Sequence, residues 1–137
     1  MNKYVSAYAG TATLMVALDM LWLGVIAKPL YQQGIGHLMA EKPNIGVAVS
    51  FYLLYALGVV VFAVSPQHNG ANWVYTLAMG ALFGFFAYAT YDLTNLATLR
   101  DWPIGLSMID IVWGTVVSAA SAAGGKAAMD WAGRATP

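Results

Sequence analysis

Three aspartates, Asp19, Asp92 and Asp110, stand inside long apolar runs. A carboxylate at the centre of a bilayer costs about 2.5 to 3.5 kcal/mol on the insertion scale, so an acid in that setting is either paired internally or part of a site. Acids brought close together cannot all ionise freely. Such a cluster can carry a proton, bind a small cation or accept hydrogen bonds from a polar headgroup. Asp19 is followed by Trp22 and Gly24, and Asp110 by Trp113 and Gly114. Residues three apart share a helical face and a tryptophan leans back over the preceding turn, so each indole N–H is expected to reach the acid of its own helix. Around Asp92 lie Tyr88, Tyr91 and Asn95, with Lys28 and Arg100 as the cations expected to balance the charge.

Other chemistry is sparse. The absence of cysteine removes disulfides, thiolate metal sites and thiol nucleophiles together. No serine can be argued to have a histidine base, no glycine-rich phosphate loop follows a strand, and no histidine lies in a long apolar run. The three aspartates with Asn95 offer an all-oxygen set for Mg²⁺ or Ca²⁺, but Lys28 and Arg100 can neutralise the same acids, so neither a metal nor a cofactor is expected.

The elements that carry these residues follow from composition. The chain has 137 residues, of which 60% are hydrophobic and 9% charged, against roughly 25% charged in soluble domains. Six basic and six acidic residues cannot clothe a soluble surface, and a net charge of zero leaves no basic footprint for nucleic acid. Apolar stretches from Tyr4 to Ala27, Ile45 to Val64, Trp73 to Leu93 and Ile104 to Ala123 each reach the roughly 20 helical residues that cross a hydrocarbon core. Their bounds are helix-stop signals: Lys28-Pro29, Pro43-Asn44, Ser65-Pro66, Trp102-Pro103 and Gly124-Gly125. The first stretch carries Asp19 and Trp22 where a signal-peptide cleavage site needs small residues, so it is read as a retained helix. The expectation is an all-α, polytopic membrane protein: four transmembrane helices in a compact bundle, residues 1–137 forming one domain.

Four crossings put both termini on one face, side A, with the loop from Ser65 to Asn72. Side B carries the segment from Lys28 to Asn44 and the loop from Thr94 to Pro103. His37 and His68 then lie on opposite sides and cannot share a metal. Lys3, Lys126 and Arg134 on side A balance Lys28, Lys42 and Arg100 on side B. The free amino terminus and the cations of the tail favour side A as cytoplasmic. At 1.5 Å per residue Asp19 lies about 22 Å from side A and Asp110 about 9 Å from side B, which in a core of about 30 Å is the same depth. Asp92, near the end of the third span, joins them in the side B half.

Small residues suggest how the helices meet. Gly80, Gly84, Tyr88, Tyr91, Asp92 and Asn95 form a stripe on the third span, and Ser107, Asp110, Gly114, Ser118, Ser121 and Gly125 one on the fourth. Such faces allow close backbone approach, either between these two helices or across a homo-oligomer contact.

The run YATYDLTNLATLRDWP from Tyr88 to Pro103, the IDIVWG segment from Ile109 to Gly114, LDMLWLGVIAKPLYQQGIGHLMA from Leu18 to Ala40 and FYLLYALGVVVFAVSP from Phe51 to Pro66 carry a resemblance. Together they resemble a bacterial family of small four-helix inner-membrane proteins defined as a domain of unknown function. The resemblance covers nearly the whole chain, and its motif positions include Tyr31, Tyr52 and Tyr55 beside the acids and tryptophans. It implies a multi-pass inner-membrane protein with no established activity, in a membrane-lipid setting, since genes of the family lie near lipid-modifying methyltransferases and oxidoreductases.

The expected function is an intramembrane carboxylate site, built on Asp19, Asp92, Asn95 and Asp110, that binds or moves a lipid headgroup, a small cation or a proton. Trp22 and Trp113 would position the acids and Tyr88 and Tyr91 would line the cavity. The expected partner is membrane lipid. The alternative is a membrane enzyme, or an enzyme's accessory subunit, in lipid modification. A cavity opening laterally would favour lipid, an aqueous pore an ion or proton, and a dry, fully paired cluster a structural role.

Overall fold

Asparagines start three of the helices. The side chains of Asn2, Asn44 and Asn72 accept from the backbone N–H groups of Tyr4 (2.8 Å), Val47 (3.1 Å) and Tyr75 (3.0 Å). Each satisfies a donor that an N-terminal turn otherwise leaves without a partner, a stabilisation of about 1 kcal/mol. The computed structural model describes residues 2–135, and every regular element among them is helical. Helix α1 runs Lys3–Leu21 and ends in a π-helical turn, Trp22–Ile26; α2 is Lys28–Ile35; α3 is Ile45–Val59, followed by a second π turn, Val60–Val64; α4 is Trp73–Thr98 and α5 Ile104–Ala135.

Four helices are long and apolar enough to cross a membrane: Lys3–Ile26, Ile45–Gln67, Trp73–Thr98 and Ile104–Ala135. Their outward residues include Val74, Leu54 and Val25, exposed by 75%, 69% and 68%. That surface suits lipid tails and would be costly in water. The all-α polytopic bundle expected from the sequence is the architecture found.

Three local expectations are corrected. Gly124-Gly125 does not stop the last helix, because both glycines pack on α1, Gly124 beneath Leu14 and Gly125 beside Thr11 and the Ala7 carbonyl. That contact offsets the cost of about 1 kcal/mol for each glycine inside a helix. The third span continues past Leu93 to Thr98, where Thr90, Thr94 and Thr98 donate to the carbonyls of Phe86, Thr90 and Thr94 one turn back and cover them. Much of the side B segment read as loop is the short helix α2. Proline stands in its first turn, and Gly34 lies against Pro103 and Leu106 at the start of α5.

Around the bundle the order is α1, α5, α4, α3, with α1 and α4 diagonal to each other. A hydrocarbon solvent gives helices little hydrophobic drive to associate, so close van der Waals contact must hold them. The stripes supply it: a Cβ at Gly80 would lie 2.8 Å from the Ala122 Cβ and 3.0 Å from the Ser118 carbonyl, and one at Gly84 would collide with the Gly114 carbonyl. The small faces of α4 and α5 therefore meet within the chain. Met15, Val59, Ala63, Val64, Ala122 and Met129 fill the side A half of the core.

Candidate functional site

The three acids lie buried in the side B half of the bundle, two of them on a cavity. Asp19 on α1, Asp92 on α4 and Asp110 on α5 are 4%, 1% and 6% exposed. The Asp19 carboxylate accepts from the Trp113 indole through Oδ1 (2.8 Å) and from the Tyr52 hydroxyl through Oδ2 (2.9 Å). Asp110 accepts from the Tyr31 hydroxyl, which in turn receives the Trp22 indole N–H at 3.3 Å. Asp92 Oδ2 is buried and has no hydrogen-bond partner among the described residues.

The tryptophans thus serve the opposite acids from those expected. Trp113 of α5 holds Asp19 of α1, and Trp22 reaches Asp110 only through Tyr31. The physical reason lies in two contacts. The α-helix gives way to the π turn at Trp22, and the two indoles stack with centroids 4.4 Å apart and planes 5° from parallel. Such stacking is worth about 0.5 to 1.5 kcal/mol beyond area burial and ties each ring to the neighbouring helix. Both rings join Met108, Val112 and Val116 in lining a shallow apolar groove.

Lys28 and Arg100 are exposed and form no ion pair with the acids; among the described residues the ion pairs are His37 with Asp101 (4.0 Å) and Lys126 with Asp130 (3.1 Å). The expected charge balance by these cations is replaced by neutral donors. A lysine opening a surface helix keeps its ammonium group in water while only its stem touches apolar neighbours. Asn95 is half-buried on α4, outside the walls of the cavity described next.

A cavity of about 450 Å³ reaches Asp19 and Asp110 from the side B half. Tyr88 and Tyr91 line it, as the sequence suggests, and so do Tyr31, Phe51, Tyr52 and Tyr55. The most exposed walls, Leu23 at 41%, Phe51 at 45% and Tyr91 at 52%, mark its mouth. Deeper in, the Tyr55 hydroxyl and Ser118 Oγ are 2.7 Å apart, and the Tyr55 and Tyr88 rings meet edge to face. The α3 aromatics were not among the site residues expected from the sequence. Their signal was the pairing Tyr52 and Tyr55, three apart in the side B half of the span, which repeats as Tyr88 and Tyr91 on α4. Burial first, and then the Asp110 carboxylate it bonds, push the Tyr31 hydroxyl above the ordinary tyrosine range, so Tyr31 stays a donor.

At the opposite end Lys126 is wholly buried, donating to the Gly70 carbonyl at 2.8 Å and lying over the Trp73 ring at 5.3 Å. Among the described residues no three His, Cys, Asp or Glu side chains converge as a metal-ligand set.

A family model described as a predicted membrane protein, DUF2177, matches residues 4–127. The chain belongs to the DUF2177 family. That match covers all three acids, both stacked tryptophans and every wall of the cavity. No curated protein and no solved structure matches this DUF2177 chain.

Proposed function

We propose that this protein binds the polar head of a membrane amphiphile at its intramembrane carboxylates. One observation carries the reading: a cavity with aromatic walls leads from an exposed mouth at Leu23, Phe51 and Tyr91, apolar at Leu23 and Phe51, to Asp19 and Asp110. Proton transfer needs only a file of donors and acceptors, and a dehydrated small cation needs a close oxygen cage. Neither calls for a chamber within the 300–1,000 Å³ range of about the size that small-molecule sites occupy. Trp113 and Tyr52 fix Asp19, while Tyr31 fixes Asp110, so the acids are oriented before the head arrives and little ordering is left for binding to impose. The finer setting of this proposal is a bacterial inner membrane with both termini cytoplasmic.

The test is native mass spectrometry of the protein released from lipid nanodiscs. A retained amphiphile is expected on the unmodified chain and absent after Tyr88→Trp, which fills the cavity with a larger ring, while circular dichroism stays helical. An unmodified chain that releases bare, or a filled variant that keeps its adduct, would refute the proposal.

A further inference from the structure

We infer that the head bound in this cavity is an ammonium cation carried on an amphiphile; the inference rests on the headgroup reading above and names its chemical class. The first argument is charge. Asp19 receives donors on both oxygens, the arrangement that suits an ionised carboxylate, which only accepts. With Asp19 ionised the site carries negative charge. Among the described residues no lysine, arginine or histidine forms an ion pair with the three acids. An unbalanced negative site in a low-dielectric interior draws a cation and repels the phosphate or sulfate of an anionic head.

The second argument is the walls. Phe51, Tyr52, Tyr55, Tyr88 and Tyr91 put aromatic rings around the approach to the acids. The negative face of such a ring attracts ammonium groups, and cages of this composition hold quaternary ammonium ligands. A metal cation would instead need converging oxygens, and the three carboxylates do not form such a set. The apolar rim at Leu23 and Phe51 suits the chain that follows the head.

The test is calorimetric titration of the full chain in maltoside micelles with three probes. Dodecyltrimethylammonium should bind saturably and at least about 10-fold more tightly than dodecyl sulfate of the same chain length or tetramethylammonium, which lacks the chain. Asp19→Asn and Asp110→Asn should each weaken the cationic amphiphile by about 10-fold, a loss of one charge–charge contact in a poorly solvated site. Should either variant fail to fold, the comparison of probes on the unmodified chain still decides. Equal or tighter binding of dodecyl sulfate overturns the cationic class and leaves the headgroup reading standing. Equal binding of tetramethylammonium overturns the amphiphile. No saturable binding of either amphiphile overturns the inference and the headgroup reading together.

Discussion

Tyr31 is the residue on which Asp110 depends, because its hydroxyl is the donor that reaches that carboxylate and it relays the Trp22 indole. A tyrosine held above its unfolded value binds its proton more tightly when folded. Its contribution to stability is therefore complete below about pH 10, where an unfolded tyrosine begins to ionise, and is lost as the pH climbs beyond. Tyr31→Phe should remove that share of the alkaline loss and lower stability at neutral pH by about 1 to 3 kcal/mol, the cost of leaving a buried carboxylate without its donor. Thermal unfolding in detergent across the alkaline range checks both effects, and an unchanged alkaline slope in the variant would assign the loss to other tyrosines. The sequence makes the acids legible because depth needs only span direction and rise. It hides their partners because those depend on the rotation of each helix about its own axis. That rotation stacks Trp22 on Trp113 and carries each indole to the acid of the neighbouring helix, Trp22 by way of Tyr31.

Helices α4 and α5 touch through residues with almost no side chain, so volume is the sensitive quantity there. Gly84→Leu adds four carbons where one already meets the Gly114 carbonyl and Ser118. The substitution should destabilise the bundle by at least about 1 to 3 kcal/mol. Asp92→Asn keeps size and much of the hydrogen bonding, so its bundle should elute and melt nearly as the parent does. Size-exclusion chromatography with a melting curve compares the two, and an asparagine variant lost as completely as the leucine variant would make Asp92 a packing element. The stripes are readable from spacing because small residues recur at three and four. The length of α5 is not, since a Gly-Gly pair signals an end unless a neighbour, here α1, packs on it.

Across the whole molecule, four crossings fix the relation between the ends more firmly than their address. Reporters fused to the amino and carboxyl termini should give the same answer, cytoplasmic in the proposed orientation, and opposite answers would remove one crossing. Composition made the class legible, and the lengths and bounds of the apolar runs made the number of crossings so. The cavity was not, because an unfilled volume arises from how four faces meet and no single span encodes it.

The two halves of the bundle differ in what they leave open. Glycines 80, 84, 124 and 125 knit the half nearer the termini, and the core there is filled, while the chamber belongs to the other half. The molecule is therefore a cup and not a pipe. In the proposed reading a guest enters from the side B monolayer, the outer one in the proposed orientation, and handing it across would require prising apart the glycine seams of α1, α4 and α5. On that proposal the shape suits sampling, holding or presenting the lipids of a single leaflet.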